Sequence, residues 1–350
     1  MPARLALPTW TGSADDAMRT RATIDDWAGS AALAALVDAF GGSTDGRRGA
    51  ELLEWLDRFS AAHWDFRGGA ERNLASPVAL PSDVERLVLD SAPVLGLAGP
   101  YPLHRDRYDT VLMTGGMIRA GVVKPRFARE LLASGIGAKS VVFLGGFRPF
   151  AGDELELAPV FGVRGDNEFE AMVRGMELAF GPLGDPVTTS SGHGSGRGGS
   201  KGSGNSDWRI CEWAGEDVTL RVVAAPSSDP TRRRANTADT YRFWADRVRE
   251  PQEQSVLVVT TPIYVPYQGA GAVEVLGLEH GLAVGTIGVS GSASDLGEHS
   301  QVFQAQNHLQ EIRSAIRALR SLRYRLTAGK SSGSESSGSQ SSGSQSRSSE

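Results

Sequence analysis

Cysteine is almost absent from this sequence, which contains a single one, Cys211, among 350 residues. One thiol allows neither an internal disulfide nor a zinc site built on several cysteines. Unpaired thiols are typical of proteins that are kept in a reducing compartment. We therefore expect a cytoplasmic protein in which Cys211 is reduced and partly buried near a strand.

Long apolar runs and an excess of basic charge are also missing. The longest apolar stretches, such as SVVFLGG and SVLVVTTPIYVP, fall far short of the ~20 residues that a helix needs to span a bilayer. The formal net charge is −5, and Arg232-Arg233-Arg234 is a short basic run. We therefore expect a small-molecule partner, no membrane span and no nucleic-acid partner. The oligomeric state is not predicted.

The common catalytic and metal-binding motifs are absent as well. The sequence contains no HExxH, CxxC or P-loop pattern and no GxSxG nucleophile elbow, and its six histidines show no metal-ligand spacing. These absences argue against a metal site and against a mechanism based on histidine.

Two stretches are rich in glycine and serine and poor in apolar residues, namely residues 188–206 and 327–350. Such segments bury too little apolar surface to offset the entropy cost of ordering, so we expect both to be disordered. The remaining chain divides into an N-terminal helical region with a linker at 1–100 and an α/β domain at 101–326, which carries the first of these segments as an insert.

The periodicity of apolar residues changes near Tyr108. Before it, the pattern is helical, with a capping-box spacing at Thr23–Asp26 and a helix end at Gly41-Gly42. After it, short apolar runs at 110–114, 140–144, 256–260 and 282–289 alternate with helical segments, and a long helix closes the chain at 301–324. This alternation predicts an α/β fold with a Rossmann-like open, mostly parallel sheet and helices on both faces. Ligands of such sheets bind outside the carboxyl ends of the strands.

Two neighbouring strands are predicted to end in a glycine pair that is soon followed by an arginine. Gly115-Gly116 precedes Arg119, and Gly145-Gly146 precedes Arg148. Backbone amides at such turns can approach an anion, and the arginines could add charge-assisted hydrogen bonds. The alternative is that each pair only allows a tight turn. The sequence favours neither the anion site nor the tight turn.

Polar residues also stand where helices begin and strands end. Glu170 in the segment DNEFE, and Asp239 in the segment ANTAD, are candidate acid/base groups, although both spacings also fit helix caps. We expect one cleft for a ligand, and the residues predicted to bind it are Gly115, Gly116, Arg119, Gly145, Gly146, Arg148, Glu170, Asn236, Thr237, Asp239, Thr260, Thr261 and Tyr264.

The order of these motifs resembles that of the YdcF/SanA/ElyC-like family of bacterial α/β proteins. The matching pieces are VLMTGGMIRAG, VVFLGGF, FEAM with Glu170, NTAD and VLVVTT, and they cover about residues 109–289. The resemblance is to the soluble YdcF-like branch. It implies a nucleotide-like ligand such as S-adenosylmethionine and a functional role for Glu170.

The loop after the strand at 256–260 departs from that family. Tyr264 and Tyr267 stand where the family has a histidine and an arginine, and Thr240 replaces an expected asparagine. If the two missing residues serve phosphate chemistry in the family, binding is favoured over hydrolysis here. We therefore expect a protein that binds a nucleotide-like or phosphate-bearing molecule. The alternatives are a hydrolase or transferase that acts on a phosphorylated metabolite, and a non-catalytic regulatory or interaction protein.

Overall fold

A computed structural model describes residues 3–66, 78–191, 204–215 and 217–328. Its centre is a seven-stranded sheet in the order β3-β4-β5-β2-β1-β6-β7. Strands β1, β2, β5, β6 and β7 run parallel, whereas β4 pairs antiparallel with both β3 and β5. The strands are β1 Thr110–Thr114, β2 Ser140–Gly145, β3 Val187–Ser190, β4 Arg209–Ala214, β5 Thr219–Ala224, β6 Ser255–Thr260 and β7 Ala283–Gly288.

Helices precede, connect and follow these strands. They are α1 Asp16–Ala28, α2 Ala31–Ala39, α3 Gly49–His63, α4 Ser82–Val94, α5 Ile118–Ala133, α6 Glu154–Val160, α7 Glu168–Phe180, α8 Thr237–Arg247, α9 Val265–Ala272, α10 Gly291–Ser294 and α11 Ala305–Ala328. A π-helix, Val273–Glu279, continues α9. The predicted α/β fold, with its mostly parallel sheet, N-terminal helical region and closing helix, is confirmed.

The two faces of the sheet carry separate hydrophobic clusters. Along β1, Leu112 belongs to one cluster, whereas Val111 and Met113 belong to the other. This division follows from the alternation of side chains along a strand. The first cluster also contains Trp27 of α1 and Leu309 of α11. The N-terminal helices therefore share a core with one face of the sheet and with the closing helix.

The start of the N-terminal helices differs from the prediction. The Thr23–Asp26 capping-box spacing lies inside α1 and caps nothing. The break comes at Gly29-Ser30, where the Ser30 side chain accepts a hydrogen bond from Leu33 N at 3.3 Å. A single serine cap is enough to start α2, and α1 is held by the burial of Ile24 and Trp27.

The sheet extends further than the sequence pattern indicated. Residues 188–190, which were assigned to the flexible insert, form most of β3 and pair with β4, which was also missed. Burial is slight along β3, so its residues give no apolar signal, and ladder hydrogen bonds to β4 hold it instead. Thr327 and Ala328 likewise belong to α11 rather than to the tail. The predicted disorder of residues 192–203 and 329–350 falls outside the described residues.

Close packing of two helices sets the position of α7 against the sheet. A Cβ atom at Gly175 of α7 would lie 1.8 Å from the Gly121 carbonyl oxygen of α5. The backbones approach so closely that glycine is required at this crossing. The crossing draws the first turn of α7 towards the end of β1.

Candidate functional site

The carboxyl ends of β1, β2, β5 and β6 lie along one edge of the sheet. Thr114 of β1 is in register with Leu144 of β2, so the two glycine pairs stand side by side just beyond them. The chain passes from β1 through β2 to β5 on one side and returns to β6 on the other side of β1. The topological switch point is therefore between β1 and β6, where open α/β sheets commonly bind ligands.

Close packing explains Gly115 and Gly145 better than turn geometry does. None of Gly115, Gly116, Gly145 and Gly146 has a left-handed backbone conformation. A Cβ atom on Gly115 would instead lie 2.2 Å from Glu168 Oε1 and 2.9 Å from the Leu144 carbonyl oxygen. The glycines leave room for a carboxylate of the protein itself.

Glu168 occupies the position where a ligand anion was expected. Gly116 N donates a hydrogen bond to Glu168 Oε1 at 2.6 Å, and Arg148 Nε lies 3.8 Å from Oε2. The residue is 6% exposed. Burial raises the pKa of Glu168, while the charges of Arg148 and Arg234 and the Gly116 hydrogen bond act in the opposite direction. The predicted approach of amides to an anion is present, but the anion is internal.

A second internal carboxylate, Glu154, neutralises Arg148. Its Oε1 and Oε2 accept hydrogen bonds from the terminal nitrogens of Arg148 at 2.8 and 2.7 Å. Ile118 N and Ala151 N donate to the same carboxylate at 2.8 and 3.0 Å, and Glu154 is fully buried. Sequence reasoning missed this residue, because an acid in the first turn of a short helix looks like an ordinary exposed one.

Arg119 is also engaged within the protein. Its Nε donates to the His299 carbonyl oxygen at 2.7 Å, and a terminal nitrogen lies 2.7 Å from Asp153 Oδ2. Each arginine that was predicted to bind a ligand anion thus already has a carboxylate partner. An anion would have to compete with these pairs. The contacts therefore favour a structural role for both arginines over the predicted anion binding.

The residues at the start of α8 form a helix cap. Asn236 N donates to Asp239 Oδ2 and Asp239 N donates to Asn236 Oδ1, both at 3.0 Å, while Thr237 is the first helical residue. Burial disfavours the charge on Asp239, but hydrogen bonds from Arg233 and the Asn236 backbone outweigh it and lower the pKa. An ionised, fully bonded carboxylate is poorly suited to the acid/base role proposed for Asp239.

Glu170 lies outside the group that surrounds Glu168. Its backbone N donates to Asn167 Oδ1 at 3.2 Å, so Asn167 caps α7. The Glu170 side chain is 41% exposed and lies 3.8 Å from Arg209. Its pKa is raised by burial, with Arg209 acting against this. Each residue of an α-helix is rotated by about 100° from the one before it, so Glu170, two residues after Glu168, lies on a different side of α7.

Thr260 belongs to a buried polar cluster beneath the switch point. Thr114 Oγ1 lies 3.1 Å from Thr260 Oγ1 and 2.9 Å from Gln268 Oε1. Lys124, which is 1% exposed, donates from Nζ to the carbonyl oxygens of Thr114 at 2.6 Å and Gly115 at 3.0 Å. Lys124 was not predicted, because it lies in an otherwise apolar stretch of α5. Thr261 precedes a short 3-10 helix that ends at Tyr264.

Four of the thirteen predicted ligand residues border two cavities at this edge, and the other nine border neither cavity. The β2–β5 cavity, of about 270 Å³, is bordered by Gly146, Phe147, Arg148, Asn167, Glu168 and Arg234. The switch-point cavity, of about 340 Å³, is bordered by Met117, Arg119, Ile263, Tyr264 and the first turns of α11. Glu170, Asn236 and Thr260 border neither cavity. The single cleft expected from the sequence is thus represented by two separate spaces.

Two further properties concern the described ranges alone. Within them, no three histidine, cysteine, aspartate or glutamate side chains are grouped so that they could hold a metal ion. None of the helices in the same ranges is long and apolar enough to cross a membrane.

Comparison with known proteins identifies a different family from the one the motifs suggested. A family model described as the Rv3785 N-terminal domain matches residues 11–96. The uncharacterized protein Rv3785 of Mycobacterium tuberculosis is 31% identical over 332 residues, which cover 89% of this chain and 91% of that protein. The uncharacterized protein Mb3814 of Mycobacterium bovis matches to the same extent. No solved structure matches the chain.

The resemblance to the YdcF/SanA/ElyC-like family is therefore wrong. Its motifs are short glycine, threonine and acidic patterns at strand and helix ends, and such patterns recur wherever a parallel sheet needs tight turns and caps. The resemblance implied a functional role for Glu170, but Glu170 borders neither of the two cavities described above. On 31% identity across 89% of its length, the chain belongs to the Rv3785 family.

Proposed function

We propose that this protein binds a small polar molecule, nucleotide-like or sugar-phosphate-like, in the β2–β5 cavity. The observation that carries the proposal is the buried Glu168 carboxylate, which borders this cavity at the carboxyl edge of the sheet beside Arg148 and Arg234. A cleft that combines a titratable group of perturbed pKa with charged neighbours is a common feature of binding and catalytic sites.

The charges around the cavity favour a particular kind of ligand. Asp166, Glu168 and Asp207 face two arginines, and Arg148 is already held by Glu154. Arg234 also borders the cavity, its charge acts on Glu168, and we infer that it meets one anionic group of the ligand. The carboxylates would accept hydrogen bonds from ligand hydroxyls, as acidic residues do for the ribose in dinucleotide sites. A molecule with several hydroxyls and a single phosphate fits this balance.

Adenosine monophosphate, ribose 5-phosphate and inorganic phosphate are suitable probes, and titration calorimetry is the measurement. We expect the wild-type protein to bind at least one of the two organic phosphates, and Arg234→Gln to weaken that binding roughly 10- to 100-fold, the usual size of a lost charge-assisted hydrogen bond. Arg232→Gln is the matched control, because the Arg232 side chain is 83% exposed and does not border the cavity. Absence of binding by wild type, or equal losses in both variants, would contradict the proposal.

One observation favours an enzyme as the second candidate. Burial raises the pKa of Glu168, and a carboxyl group of raised pKa is better suited than an ordinary one to donate a proton to a substrate. If this is its role, the wild-type protein should convert a bound phosphate ester, as detected by mass spectrometry, and Glu168→Gln should bind the ester without converting it. Recovery of unchanged ester from wild type leaves binding as the function.

A further inference from the structure

A third cavity shares no lining residue with the two cavities described above. It has a volume of about 520 Å³, and we call it the arm cavity because the N-terminal segment 4–9 forms one wall. Trp10 pairs with Val284 through two backbone hydrogen bonds of 3.1 and 2.6 Å, which hold this segment along the β7 edge. Helices α1 and α9 form the other walls.

The walls of the arm cavity are mainly apolar. They include Leu5, Leu7, Pro8, Pro100, Val265 and Pro266. Proline side chains lose little entropy when a ligand packs against them, and the volume lies within the usual range for sites that take small organic molecules. An apolar body of a ligand therefore has a suitable surface to contact.

A cation borders the same cavity. Arg4 donates from a terminal nitrogen to the Pro100 carbonyl oxygen at 2.5 Å, and its guanidinium lies 3.9 Å from the Tyr101 ring centroid. Within the described ranges Arg4 has no carboxylate partner, whereas Arg19, which also borders the cavity, is paired with Asp16. Burial lowers the pKa of Arg4. The remaining N–H groups of the guanidinium could receive an anionic group of a ligand.

We propose that the arm cavity is a second binding site, and that its ligand is an amphipathic carboxylic acid. The apolar body contacts the leucine and proline walls, and the carboxylate pairs with Arg4. The site shares no residue with the β2–β5 cavity, so it does not depend on the function proposed above.

Decanoate and decan-1-ol are the probes, because they share an apolar chain and differ in the charged group. Titration calorimetry on the full chain should show that decanoate binds more tightly than decan-1-ol. Arg4→Gln should weaken decanoate binding by about tenfold or more while leaving decan-1-ol binding unchanged. Arg86→Gln, which alters an exposed arginine of α4 outside the cavity, should bind both probes like wild type.

Failure of wild type to bind decanoate, equal affinity for the two probes, or unchanged decanoate affinity in Arg4→Gln would overturn the proposal.

Discussion

Replacing Glu154 by alanine should lower the free energy of unfolding by about 3–5 kcal/mol, the usual cost of removing one partner of a buried ion pair. The Glu154 carboxylate is fully buried and is held by both terminal nitrogens of Arg148 and by two backbone N–H groups. The substitution leaves a guanidinium that is 13% exposed without its main counter-charge. Urea unfolding of wild type and variant at pH 7 measures the difference.

Glu156→Ala is the matched control for this experiment. Glu156 lies in the same turn of α6, but its side chain is exposed. We expect its replacement to change the free energy of unfolding by less than about 0.5 kcal/mol, as is usual at the surface. Similar stabilities of the Glu154 and Glu156 variants would show that Arg148 does not depend on Glu154.

Acidification should destabilise the fold through His308, a residue of α11. His308 Nδ1 is buried and lacks a hydrogen-bond partner in the part of the chain that the structure describes, and burial lowers the pKa from 6.5 to about 4. The unfolded chain therefore takes up a proton at a higher pH than the folded protein does. The stability that the neutral imidazole contributes is complete above pH 6.5 and is lost as the pH falls towards 4. The loss should reach about 3 kcal/mol, at 1.4 kcal/mol for each pKa unit.

The test compares the pH dependence of unfolding in wild type and His308→Leu. Glu168 and Glu170 have raised pKa values and act with the opposite sign, gaining stability as the pH falls, so the difference between the two curves isolates His308. The variant should be the more stable protein at pH 4.5 by most of that 3 kcal/mol. His63→Leu, at an exposed position of α3, should follow the wild-type curve. Parallel curves for wild type and His308→Leu would refute the assignment.

The inner strands were predictable because their environment is simple. Strands β1, β2 and β6 are buried on both faces, so each contains a continuous apolar run of three or four residues. The outer strand β3 was missed because its residues are largely exposed and form no apolar run. Its stability comes from backbone hydrogen bonds to β4, and such bonds leave no mark on the side-chain pattern.

The location of the site was predictable, but its residues were predictable only in part. Parallel strands end at the same edge, so the two glycine pairs were correctly placed side by side. The choice between Glu168 and Glu170 depends on the rotation of α7 about its axis, which the close contact of Gly175 with Gly121 sets. The partners of Arg119 and Arg148 come from α6, a helix that the sequence pattern did not indicate.

The sequence by itself determined the fold class, because apolar periodicity and the spacing of turns are local properties that the order of residues records directly. It also determined which edge of the sheet collects the polar groups. Only the tertiary structure decided which charged side chains are paired within the protein and which of them border a cavity. Ion pairs such as Arg148 with Glu154, and the burial of Glu168 and His308, depend on distances between separate helices and strands. Charge balance and desolvation vary steeply with such distances, and a linear pattern of residue types does not contain them.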